Sequence, residues 1–209
     1  ALLSSQARSE LPGSFAQGRR ESARVYYHKG RIPLYVSDME RGHKFDPARV
    51  HHLNDPSRFE ELPPDVIWEE LIPQHAVDGH RPDLVLVDLG AGTGVFAREF
   101  GRRLGPQGMV YACDVSDTMI EYMQQELSRE ERRRLMPLRS EESALPLESE
   151  SVDTVYTINV YHELEHAREM LAEIHRVLRP GGRFAVVDWS PQGSAGGPPV
   201  NHRVPSEVI

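Results

Sequence analysis

Val87-Asp88-Leu89-Gly90-Ala91-Gly92-Thr93-Gly94 is the stretch on which the reading of the whole chain turns. It closes a continuous apolar run, residues 84–87, of the kind found in a strand buried on both faces. A helix is expected directly after it, from about Val95 to Leu104. Glycines at such a junction let the backbone turn tightly and admit a ligand to main-chain N–H groups. Twenty residues beyond Gly94 stands Asp114, at the end of a second apolar run, residues 109–113. An acid there accepts hydrogen bonds from both hydroxyls of a ribose, which makes this a nucleoside-binding arrangement. A strand–helix turn that holds no ligand is the plain alternative.

The dinucleotide fingerprint G-x-G-x-x-G is not met, because Val95 stands where its third glycine belongs. Asp88 adds a carboxylate at the edge of the turn. That charge repels a pyrophosphate and suits a cation such as a sulfonium or an α-amino group. A nicotinamide oxidoreductase is thereby disfavoured.

Outward from the turn, strand and helix signals alternate. Ser116 is a candidate N-cap for a helix carrying Met119, Ile120, Met123 and Leu127 on one face. Residues 135–138 and 152–160 read as a third and fourth strand, and 183–189 as a fifth. Between the last two, Met170, Leu171, Ile174, Val177 and Leu178 form the stripe of a helix packed on a sheet. Upstream, residues 65–72 read as a short amphipathic helix stopped by Pro73. This alternation predicts an α/β fold with a doubly wound, mostly parallel sheet and right-handed crossovers.

Residues 88–94 resemble the cofactor motif of class I S-adenosylmethionine-dependent methyltransferases, and the resemblance continues downstream. Ser140-Glu141-Glu142-Ser143-Ala144-Leu145-Pro146-Leu147 is similar to the family segment after the third strand, where an acid meets the adenine amino group. Glu141 falls in that slot, where the family more often has Asp. Ser151-Val152-Asp153-Thr154-Val155 resembles the start of the fourth strand, and Arg176-Val177-Leu178-Arg179-Pro180-Gly181-Gly182-Arg183 the turn into the fifth. The similarity spans about residues 65–209, and its nearest group is the quinone-biosynthesis type. It implies a Rossmann-like fold, S-adenosyl-L-methionine as cofactor, and in-line methyl transfer to a small-molecule acceptor. Carried over residue by residue, it implies cofactor contacts from Asp88, Gly90, Ala91, Gly92, Gly94, Asp114, Val115, Glu141, Glu142 and Asn159. Val160 joins them in lining the pocket, and His162 is the implied catalytic residue, orienting or deprotonating the acceptor. A histidine satisfied by backbone groups is the rival reading of His162. Asp188 and Trp189 end the fifth strand, where open α/β sheets bind ligands. A module that binds the cofactor without catalysis is the rival for the whole chain.

Family domains end with a helix and an antiparallel hairpin. This chain stops at Ser206-Glu207-Val208-Ile209, so the C-terminal hairpin strands are expected to be missing and the sheet edge unpaired. His162-Glu163-Leu164-Glu165-His166 also matches H-E-x-x-H, the zinc hydrolase signature. Its place at a strand end, and Glu169 and Ala172 where the extended form has glycine and a third histidine, argue against that reading and against a bound metal.

The organisation expected is an N-terminal extension or lid over 1–62, partly flexible, and a cofactor-binding domain over 63–209. Tyr26-Tyr27 and His43-Lys44-Phe45-Asp46 carry no motif that assigns them a role; surface packing is the reading preferred for them, with a lid over the cofactor as the alternative. With 209 residues, 39% of them hydrophobic, the chain suffices for one α/β domain and has no run of ~20 apolar residues for a membrane span. A net charge of −8 disfavours nucleic acid as a partner. The single cysteine, Cys113, is expected in the core and suits a reducing, cytoplasmic compartment; an organellar targeting remnant at the N-terminus stays open. The acceptor and the oligomeric state are not specified by these patterns.

Overall fold

The computed structural model describes residues 23–28, 53–72, 83–189, 199–200 and 203. Its centre is a six-stranded sheet built from β1 (Ala23–His28), β2 (Val85–Leu89), β3 (Met109–Asp114), β4 (Leu135–Arg139), β5 (Val152–Ile158) and β6 (Leu178–Trp189). The strands lie in the order β1-β6-β5-β2-β3-β4. All pairings from β4 across to β6 are parallel, and only β1 runs antiparallel, against β6. The expected five-strand parallel sheet is therefore present. β2 and β5 are its neighbours at the centre, with the chain winding outward from them in opposite directions. A crevice opens at such a switch point, outside the carboxyl ends of the strands.

The helices are α1 (Arg58–Glu61), α2 (Pro64–Leu71), α3 (Val95–Gly101), α4 (Asp117–Glu126) and α5 (Ala167–Val177). Period-two alternation sorts the strand side chains onto two faces. Leu86, Val110, Ala112, Tyr156, Ala185 and Val187 pack with Phe96 and Phe100 of α3, Met123 of α4 and Leu71 of α2. Val87, Val155, Phe184 and Val186 pack with Met170, Leu171, Ile174 and Val177 of α5. The stripe read from the sequence is the buried face of α5. Ser116 caps α4 as expected, its hydroxyl accepting from the Met119 N–H at 3.4 Å.

The upper edge of the sheet differs from expectation. β1 occupies it, with Tyr26 opposite Val186 and Tyr27 opposite Ala185. The Tyr26-Tyr27 pair therefore belongs to an edge strand and not to a lid, and β6 is not left open. His43–Asp46 lies outside the described residues. The physical reason for the pairing is that an open edge exposes a row of N–H and C=O groups that another strand satisfies. No helix among the described residues is long and apolar enough to cross a membrane.

Candidate active site

The site lies at the carboxyl ends of β2, β3 and β5. Gly90, Gly92 and Gly94 all take left-handed conformations, with φ of 72°, 56° and 75°. That backbone path is open to glycine and costly for other residues. Close packing adds a second reason: a Cβ on Gly90 would come 2.4 Å from Cγ1 of Val160. Val160 follows β5, so this contact closes the floor of the crevice between the two central strands.

Asp114 ends β3 and is 8% exposed. One carboxylate oxygen accepts from the Gly92 N–H at 2.7 Å, the other from the Ser116 N–H at 2.9 Å. Burial raises its pKa above the usual carboxylate value, against the pull of those N–H groups and of Arg139. A carboxylate has about four acceptor sites, so lone pairs remain for two hydroxyls. Asp88 lies opposite Tyr156 across β2 and β5. Burial pushes its pKa up to about 7; the neighbouring Tyr156 hydroxyl and Arg58 oppose the shift and Asp114 adds to it.

Several buried polar atoms around this point have no hydrogen-bond partner among the described residues: Thr93 Oγ1, Ser140 Oγ and Asn159 Oδ1. Buried polar atoms are ordinarily paired, so three orphans around one crevice mark a place for a polar ligand. Asn159 is also held at φ 57°, an unusual conformation for a residue other than glycine. Ala91 and Val115 line the same rim, half-buried. Glu141 is exposed in the turn after β4, where its N–H bonds the Ala144 carbonyl, and Glu142 is half-buried beside it. Thr93 and Ser140 were not picked out by sequence reasoning. Their only signal was position, one inside the glycine turn and one directly after the third strand.

His162 sits in a 3-10 turn, Tyr161–Glu163, after β5. Its Nδ1 lies 2.8 Å from Oδ1 of Asp188, which is 1% exposed at the end of β6. Asp188 also accepts from the backbone N–H groups of His162 at 3.2 Å and Trp189 at 2.7 Å. Nε2 is 3.7 Å from Oε1 of Glu163. Burial works to lower the imidazole pKa, but the hydrogen bond and charge of Asp188, with Glu163, outweigh it and raise it above 6.5. This is a carboxylate-oriented imidazole, a contact between two residues the sequence had named separately. The H-E-x-x-H pentapeptide is not helical: His162 lies in the 3-10 turn and His166 is the N-cap of α5. The two histidines thus do not share a helical face, as the hydrolase signature requires.

A segment ahead of α2 covers the turn. A Cβ on Gly92 would meet Cδ1 of Leu53 at 3.0 Å. Asn54 donates to the Tyr122 hydroxyl of α4 at 2.8 Å. Arg58 donates to the Leu53 carbonyl at 2.8 Å and lies 5.4 Å above the Phe96 ring.

A doubly wound sheet, a glycine turn with an acid beside it, and a second acid at the end of the next strand define a nucleoside-binding domain of the Rossmann-like class. Comparisons narrow the class. A family model described as a methyltransferase domain matches residues 87–186. The crystal structure of a SAM-dependent methyltransferase from Aquifex aeolicus superposes with a TM-score of 0.69 at 30% identity, over 78% of this chain and 82% of that one. The ubiquinone/menaquinone biosynthesis C-methyltransferase of Bordetella avium is 32% identical over 111 residues, 53% of this chain and 43% of that protein. Demethylmenaquinone methyltransferase of Lactococcus lactis is 32% identical over 112 residues, 54% of this chain and 44% of that protein. This chain spans less than half the length of these two relatives. It belongs to the S-adenosylmethionine-dependent methyltransferase family, whose cofactor is S-adenosyl-L-methionine. The residues present fit that cofactor: an acid with acceptor capacity to spare at the end of β3, a glycine turn, a buried acid beside it and buried polar atoms without a partner among the described residues.

Proposed function

We propose that the chain binds S-adenosyl-L-methionine and transfers its methyl group to a small-molecule acceptor of the quinone-precursor type. The observation that carries the reading is Asp114, anchored to Gly92 and Ser116 with lone pairs to spare beside a ring of orphaned polar atoms. When bound, the cofactor supplies a methyl group on a sulfonium, which leaves with its bonding electrons remaining on sulfur. Asp114 holds the ribose, Glu141 and Glu142 lie at the adenine rim, and the 90–94 turn with Ala91, Val115 and Asn159 lines the rest. The similarity to a ubiquinone/menaquinone biosynthesis C-methyltransferase and a demethylmenaquinone methyltransferase supports the acceptor class.

His162 is the proposed proton acceptor. With Nδ1–H donated to Asp188, the lone pair resides on Nε2, which takes the proton that a phenolic hydroxyl or ring carbon loses on methylation. The residues have no covalent task. Their work is alignment and the exclusion of water.

The test is transfer of tritiated methyl from S-adenosylmethionine to a panel of hydroquinones and other phenols, with His162→Gln alongside. Label moves to at least one acceptor, and His162→Gln slows it roughly 100-fold or more. Tight cofactor binding without transfer to any acceptor would instead establish a non-catalytic binding module.

A further inference from the structure

Glu173 and Arg176 lie one turn apart on α5 and form a bidentate pair: Arg176 Nε donates to Glu173 Oε1 and Nη2 to Oε2, each at 2.8 Å. At a helix surface such a pair contributes little by itself. This one has a second engagement. Glu173 Oε2 also accepts from the Leu145 N–H at 3.1 Å, and Arg176 Nη2 donates to the Leu145 carbonyl at 3.2 Å. Nη1 reaches the Ser149 hydroxyl at 3.3 Å. One ion pair thus holds both main-chain groups of a loop residue, as a neighbouring strand would. The Leu145 side chain is buried in the same apolar cluster as Met170, Leu171 and Ile174 of α5. Pro146 follows it and biases its backbone toward extended conformations.

Leu145 is therefore an anchor for what precedes it. β4 ends at Arg139, and the Ser140 N–H bonds the Asp114 carbonyl at 3.0 Å, a second anchor. Residues 141–144 span the gap, and the Glu141 N–H bonds the Ala144 carbonyl at 3.0 Å, closing them into a turn. Glu141 and Glu142 sit on this turn. Its position is fixed from two sides, by β3 through Ser140 and by α5 through Leu145.

We infer that Glu173 and Arg176 are positioning residues, which fix through Leu145 the turn that presents Glu141 and Glu142 to the nucleobase. The inference rests on the cofactor reading above. A hydrogen bond weakens steeply once its angle or distance drifts, so an acid on a freed turn loses its hold on an amino group. A base with a carbonyl in that place gains nothing from the fixed turn, because two acceptors then face each other. The ion pair on α5 thereby acts on ligand discrimination as well as on stability.

The experiment is calorimetric titration of the chain with S-adenosylhomocysteine and with S-inosylhomocysteine, whose base has a carbonyl where adenine has its amino group. The unsubstituted chain prefers the adenine compound by roughly 10- to 100-fold, the range of a charge-assisted hydrogen bond. Glu173→Ala and Arg176→Ala each cut that preference to about threefold or less, and leave affinity for the inosine compound within about twofold. The double variant loses no more than either single one, because the pair acts as a unit. Glu173→Gln keeps an acceptor for the Leu145 N–H without the charge and retains part of the preference; should the alanine variants fail to fold, this variant decides. Equal weakening toward both compounds means that the pair only supports the fold, and overturns the assignment. A preference unchanged in the variants overturns it too. Equal affinity of the unsubstituted chain for both compounds overturns it and leaves the cofactor reading intact. Binding of neither compound removes both.

Discussion

Gly90→Ala lowers the melting temperature by roughly 5–15 °C and destroys measurable cofactor binding. Two costs add. Alanine at φ 72° pays about 1–2 kcal/mol for the left-handed conformation. Its Cβ also falls 2.4 Å from Val160 Cγ1, an overlap that the closely packed crevice relieves only by moving β5 or the turn, at about 1–3 kcal/mol. For a chain of this size each kcal/mol is worth about 2–4 °C. Thermal unfolding followed by circular dichroism checks the value, and two controls separate the causes. Gly181→Ala, with φ 83° but nothing within 4 Å of the added atom, loses only the conformational part. Gly90→Ala combined with Val160→Ala recovers part of the loss, because the overlap goes and the strain stays. A Gly90→Ala protein that melts with the original would contradict the packing account of the crevice.

The second large effect concerns the imidazole. Asp188→Asn removes the anion that stabilises the protonated ring, so the pKa of His162 falls from its raised position toward or below 6.5. The sign follows directly: less stabilisation of the cation means protonation only at lower pH. Nuclear magnetic resonance titration of the histidine Cε1–H signals, with His162→Gln to assign the resonance, reads this without an acceptor. In a transfer assay the acid limb, set by loss of the basic form, lies above pH 6.5 in the original and moves to lower pH in Asp188→Asn. The maximal rate of that variant falls roughly 100-fold or more, because the asparagine no longer fixes the tautomer or the ring. The same linkage acts on stability. A raised folded pKa stabilises the fold below the unfolded value of about 6.5, and that increment is lost as pH rises through the folded pKa. A His162 titration that does not move in Asp188→Asn would show that the 2.8 Å contact does not govern the ring.

How far the sequence could be read depended on how local each signal was. The glycine turn, the acid ending the second strand and the α5 stripe are each encoded by residues near one another in the chain, and each is found where expected. The His162–Asp188 contact joins residues 26 positions apart. It was still within reach: Ile158 pairs with Val187 in the parallel register, so extending both strands by one residue places Asp188 beside the turn that carries His162. Arg58 and Leu53 gave no such warning. They lie in a stretch without apolar periodicity, and their place is set by contacts with Phe96 and Gly92, which start some 38 residues further along. β1 was missed for a related reason. An edge strand needs only backbone groups to pair, so its pattern carries little of the hydrophobic signal that reveals central strands.

The central claim is that the crevice between β2 and β5 is built for S-adenosylmethionine, with Asp114 as its ribose anchor. Calorimetric titration of the chain with S-adenosylhomocysteine, beside Asp114→Ala, tests it most directly. The account predicts micromolar binding that weakens roughly 100-fold in the variant, since alanine removes a charged acceptor from the ribose and from the Gly92 and Ser116 N–H groups at once. A folded Asp114→Ala protein that binds as tightly as the original would contradict it.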